Sequence, residues 1–94
     1  MIHNFLCYGK QNAINSAHLC ALLGFTKRDL AAMIETERRS GIPICASTAA
    51  PAGYYLASSR QEMQAYCESL ARRIKEIERT RLACVRSIDT LPDI

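Results

Sequence analysis

The apolar positions change period several times along the chain. Ile2, Phe5 and Leu6 stand at helical spacing over about two turns, which predicts a first helix over residues 2–8 that ends at Gly9. Residues 9–12, GKQN, read as a polar connector. Asn15 or Ser16 can cap a second, short helix, SAHLCALL, which places Leu19, Cys20 and Leu23 on one face and closes at Gly24. Phe25 follows as an apolar plug. Thr26 with Asp29 three residues on is a T-x-x-D variant of the capping box. It predicts a third helix from Lys27 to Ser40, stopped by Gly41. Leu30, Met33, Ile34 and the stem of Glu37 would face inward, and Lys27, Arg28, Ala31, Ala32 and Glu35 outward.

The period then shortens to two. Residues 42–47, IPICAS, alternate like a short strand, and Pro43 confines that strand to an edge or a start. A small loop, TAAPAG, leads to Tyr54-Tyr55-Leu56-Ala57, read as the second strand of a hairpin. Tyr54 and Tyr55 are expected to alternate, one toward the core and one toward the surface. Ser59 with Glu62 is a stronger capping box, and a helical pattern without Gly or Pro runs from Arg60 to Ser87. Leu91-Pro92 ends it. The expected fold class is mainly α with a small β-hairpin, that is α+β. The expected organisation is a domain over 1–57, a long C-terminal helix over 58–90 and a frayed tail over 91–94.

Within the long helix, Met63, Cys67, Leu70, Ile74 and Ile77 recur at spacings of four and three. That is a heptad seam. Its continuation gives Arg81, Cys84 and Ile88, with Leu82 and Val85 as a neighbouring apolar stripe. About 28 residues of helix span roughly 42 Å. A 57-residue domain has a radius of gyration near 10 Å, so it is roughly 26 Å across. The helix therefore outruns the domain. Met63, Tyr66 and Leu70 are expected to pack on that domain, and Leu70, Ile74, Ile77, Leu82 and Val85 to meet a partner. The simplest partner is a second copy, giving a homodimer.

Composition adds limits. Net charge is +3, which permits an anionic partner without demanding one. The five cysteines, Cys7, Cys20, Cys45, Cys67 and Cys84, form no CxxC pair and no cluster with His3 or His18. They read as reduced thiols of a cytoplasmic protein, so no metal and no cofactor is expected. No apolar run reaches the roughly 20 residues of a membrane span, and no leader pattern opens the chain, so no membrane partner is expected. No Ser/His/Asp or Cys/His constellation stands out. The expectation is therefore no enzyme and no small-molecule substrate.

The order of elements is helix, short helix, tight turn, helix, hairpin, which is the order of a winged helix-turn-helix. Such a fold presents the start of its third helix to the major groove of double-stranded DNA and braces a hairpin wing on the adjacent backbone. Thr26, Lys27, Arg28 and Ala31 would lie at that helix start, and Lys10 could touch a phosphate from the connector. The run Asn12-Ala13-Ile14, then Arg38, Gly41, Pro43 and Ile44, then Gly53-Tyr54-Tyr55-Leu56, resembles the winged helix domain of the biotin-repressor N-terminal region. It looks still more like small phage-encoded or prophage-encoded proteins of Gram-positive bacteria. The resemblance covers residues 10–57 and implies DNA binding in transcription regulation or replication of a mobile element. Three features depart from that pattern. Ala31 and Ala32 stand where longer polar residues are common, Glu35 shares their face, and no Lys or Arg occurs between Ser40 and Ser59. They suit an alternative role as a protein-interaction adaptor.

Overall fold

The computed structural model describes residues 1–93 and divides into two compact units, Met1–Gln64 and a second beginning at Ala65. Its order is two short 3₁₀ turns, α1 (Ser16–Leu23), α2 (Lys27–Arg39), β1 (Ile44–Ser47), β2 (Gly53–Leu56) and α3 (Arg60–Ile88). The chain is thus mainly helical, with one two-stranded antiparallel hairpin and a long C-terminal helix. Of the expected tail 91–94, Ile94 lies outside the described residues. Backbone turns at Thr90 and Leu91 follow the end of α3.

The helix ends are set by local chemistry. Asn15 caps α1, its side-chain oxygen accepting the His18 N–H at 2.7 Å. Thr26 caps α2, its Oγ1 accepting the Asp29 N–H at 3.1 Å. At the other end of α2, the N–H of Ile42 reaches the carbonyl of Glu37 and that of Gly41 reaches Arg38, a Schellman closure. Ser59 Oγ accepts the Glu62 N–H at 3.1 Å, as a cap for α3 should. The reciprocal arm differs from expectation: the Glu62 carboxylate takes the N–H of Ser58 at 2.8 Å instead of that of Ser59.

The N-terminal segment is a correction. It is not a two-turn helix but a 3₁₀ turn over Ile2–Phe5 followed by extended chain. Ile2 and Leu6 are buried, whereas Phe5 is exposed. The residues after the turn are drawn into the sheet. Leu56 N–H donates to the Cys7 carbonyl and Gly9 N–H to the Leu56 carbonyl, both at 2.8 Å. Ile14 and Tyr54 exchange a second pair of bonds at 2.9 and 2.8 Å. Backbone pairing with β2 outweighs the local helical period. Residues 10–12, expected as plain connector, form the second 3₁₀ turn.

These bridges leave β2 flanked on both edges, with β1 on one side in the register Ile44↔Leu56, Cys45↔Tyr55, Ala46↔Tyr54, Ser47↔Gly53. The close approach of Ile14 explains Gly53. A Cβ there would lie 2.1 Å from the Ile14 carbonyl oxygen, and its φ is +137°. Ile44 and Leu56 face the core, which they share with Ile2, Leu6, Leu19, Leu30 and Ile34. Each such side chain contributes about 1.5–3 kcal/mol by leaving water. The opposite hairpin face is covered too. Cys45 and Tyr55 are buried, and the Cys45 thiol lies 3.7 Å from the Met63 sulfur. Tyr54 is half-buried against the core, so neither tyrosine is the surface residue expected.

Candidate nucleic-acid interface

α1 and α2 are joined by Gly24, Phe25 and Thr26. Gly24 takes left-handed backbone (φ 70°), which turns the chain while the N–H groups of Gly24 and Phe25 both return to the Cys20 carbonyl. Phe25 packs against the core and holds the turn down. The start of α2 is thereby fixed in solvent. Thr26, Lys27, Arg28 and Ala31 are all exposed there.

Among the described residues, neither Lys27 nor Arg28 forms an ion pair. Both cations stand at the positive end of the helix dipole, a placement that costs a few tenths of a kcal/mol. The free backbone N–H groups of the same turn suit an anion. Further along, Ala32 and Glu35 are exposed, and Glu35 lies 3.9 Å from Arg39. The α2 surface thus carries two cations and the exposed carboxylate of Asp29 in its first turn, and pairs Glu35 with Arg39 toward its end.

Lys10 is placed differently. Its backbone N–H donates to the Glu62 carboxylate at 3.2 Å, and its side chain is exposed. The Ser58 N–H, opposed by burial and helped by the Lys10 N–H, holds the Glu62 carboxyl below its ordinary range. No hydrogen bond or ion pair among the described residues links Lys10 to Thr26, Lys27, Arg28 or Ala31. The hairpin tip offers the Thr48 hydroxyl and backbone groups, with Ser47 Oγ donating to the Ala49 carbonyl at 3.0 Å.

Two residues outside the expected set organise this region. Arg38 bridges α2 to the hairpin: its Nε donates to the Ile44 carbonyl at 2.9 Å, and its guanidinium lies 6.0 Å from the Tyr54 ring centre. Glu37 buries its carboxylate, not only its stem. That group accepts the N–H groups of Ile2 and His3, each at 2.9 Å, and pairs with His3 Nδ1. The spacing of Glu37 on the inward face of α2 is visible in sequence, but its partners lie 34 and 35 residues away.

In the second unit, Leu70 is half-buried. Ile74, Ile77, Leu82 and Val85 are exposed, the two isoleucines by about two thirds. Arg79 pairs with Glu76 at 2.8 Å and Arg81 with Glu78 at 2.6 Å along the helix. Among the described residues no three His, Cys, Asp or Glu side chains gather as a metal-binding group, and no helix is long and apolar enough to cross a membrane. No protein-family model matches the chain, and comparison with curated proteins and with solved structures gives no match.

Proposed function

We propose that this chain is a double-stranded DNA-binding protein of the winged helix-turn-helix kind. It would act in the cytoplasm as a homodimer through α3, in transcription regulation or replication control of a phage or mobile element. The observation that carries the reading is the start of α2. A left-handed Gly24 turn and a Thr26 cap hold Lys27 and Arg28, which form no ion pair among the described residues, in solvent beside the backbone N–H groups of the first turn. The hairpin that follows α2, tied to it by Arg38, would serve as the wing. Lys27 and Arg28 meet phosphate or guanine, Thr26 meets backbone, and Ala31 faces bases, where its methyl suits a thymine. Lys10 adds a phosphate contact. No metal, cofactor or catalytic group enters this reading, which is that of a binding protein and not of an enzyme.

Fluorescence anisotropy with labelled duplexes tiled across the protein's genomic neighbourhood, at two salt concentrations, tests it. Sub-micromolar binding to one fragment that weakens steeply with salt is expected. Flat traces on every fragment at tens of micromolar would overturn it.

The uncharged hairpin tip and the exposed Glu35 favour a second reading, a protein-interaction adaptor that leaves DNA alone. Flat traces would make it the leading one.

A further inference from the structure

In the second unit α3 carries an apolar stripe in water. Ile74, Ile77 and Ile88 are each about two thirds exposed. In heptad terms Cys67, Ile74, Arg81 and Ile88 occupy a, and Leu70, Ile77 and Cys84 occupy d. Arg73 falls at g and Glu78 at e. These assignments decide how a second copy can lie on the stripe.

An antiparallel pair sets each a residue against a d residue of its partner. Arg81 then faces the partner's Leu70, the partner's Ile77 or the partner's Cys84, depending on register. Every choice buries two arginines separately against apolar layers, a costly placement. The middle register also brings Glu78 against the partner's Glu78. A parallel, in-register pair sets each layer against itself. Ile74, Ile77, Cys84 and Ile88 all meet apolar copies, and charge is confined to the one Arg81 layer. That layer sets the two guanidiniums beside one another, each held by the Glu78 carboxylate of its own chain at 2.6 Å, a pairing within the helix that either orientation keeps. In the same arrangement g of one helix meets the following e of the other. Arg73, which forms no ion pair among the described residues, meets the partner's Glu78, and the attraction occurs twice.

We propose that the exposed stripe of α3 binds a second copy of this chain, parallel and in register, with Arg73 answering the partner's Glu78. The inference rests on reading α3 as a dimer element and not on DNA binding. Parallel pairing sets the two N-terminal ends of α3 side by side.

Cys84 reports the orientation, because only thiols whose Cα atoms come within about 7 Å can be joined. In the parallel pair Cys84 faces the partner's Cys84. In the antiparallel ones it faces the partner's Cys67, Ile74 or Arg81. The experiment takes the full chain at tens-of-micromolar concentration, measures its mass in solution by sedimentation, and then oxidises it with oxidised glutathione. Two Cys84 thiols give up two electrons and two protons, forming one disulfide and two reduced glutathione molecules. Peptide mapping locates the bond.

The expected result is a dimer whose covalent form contains the Cys84–Cys84 peptide. Cys84→Ser should remove that peptide and keep the dimer mass. Ile74→Asp with Ile77→Asp, both at exposed positions, should keep helical circular dichroism and raise the dimer dissociation constant tenfold or more. A Cys67–Cys84 bond, or a dimer without a Cys84–Cys84 bond, would overturn the orientation. A monomer mass would overturn the interface itself. A parallel dimer that ignores every duplex leaves this inference standing and removes the DNA reading, so the two fail separately.

Discussion

The carboxylate of Glu37, in the last turns of α2, accepts the backbone N–H of Ile2 at 2.9 Å. Thirty-five residues separate the pair in sequence. The same carboxylate accepts the His3 N–H and pairs with the His3 ring, so one buried charge anchors the whole N-terminal turn. A charge inside a protein is tolerated only when such donors surround it. Among the described residues, no buried side-chain nitrogen or oxygen lacks a hydrogen-bond partner.

Replacing Glu37 should therefore cost more than an ordinary surface change. Glu37→Ala strands three donors and opens a cavity, and is expected to destabilise the fold by about 3 kcal/mol. Glu37→Gln keeps an acceptor and should lose about half as much. Urea unfolding followed by circular dichroism measures both. Equal midpoints for wild type and Glu37→Ala would show that the anchor contributes nothing.

The same group sets a pH dependence. Burial by itself pushes the Glu37 carboxyl up. The His3 N–H, the His3 ring and the Ile2 N–H more than offset it, and hold the carboxyl below its ordinary 4.5. The unfolded chain then binds more protons than the folded one between the two values, so stability rises with pH across that window. The contribution is complete above 4.5 and disappears as pH falls through the folded value. Glu62, also lowered, acts in the same direction. Urea midpoints taken from neutral pH down through the carboxylate range should fall, and Glu37→Gln should flatten the fall. A Gln variant with the full wild-type slope would assign the dependence elsewhere.

What local chemistry dictates was legible in the sequence. The Thr26 cap, a cap at Asn15 or Ser16 that the structure gives to Asn15, the ends of α1 and α2, the hairpin and the start of α3 at Arg60 all follow from local sequence. What long-range pairing dictates was not. Ile2 and Leu6 are buried as their spacing suggests, yet β2 recruits the chain at Cys7–Gly9 into backbone bonding and prevents a helix. Cys45 and Tyr55 break the expected in-and-out alternation because both hairpin faces are covered. For the candidate interface, exposure of Lys27 and Arg28 followed from helix periodicity. The hold of Arg38 on Ile44 depends on how α2 meets the hairpin, which no local pattern encodes.

Gly53 tests the junction between the hairpin and the N-terminal segment. Ala at that position places its methyl 2.1 Å from the Ile14 carbonyl oxygen, on a backbone that L side chains avoid. Ile14 must retreat, which breaks its two bonds with Tyr54. Gly53→Ala should destabilise by about 3 kcal/mol or more. Amide hydrogen exchange should show lost protection at Ile14 and Tyr54 first. Retained protection at both would mean that the segment yields without cost.

The last prediction concerns the cations at the start of α2. Counterion release makes the logarithm of DNA affinity fall with the logarithm of salt, with a slope of about 0.9 per phosphate contact. Lys27→Ala and Arg28→Ala, both at exposed positions outside the core, should leave the unfolding free energy within about 0.5 kcal/mol of wild type. On a bound duplex the double variant should lower the slope by about two if each side chain holds one phosphate. An Arg28 that reads guanine instead would act differently: its loss narrows the gap between specific and mixed-sequence duplexes, by about 1–3 kcal/mol. Anisotropy titrations at several salt concentrations, on both kinds of duplex, separate these effects. A double variant with wild-type slope and wild-type discrimination would remove α2 as the reading element and leave the adaptor role as the better account of this surface.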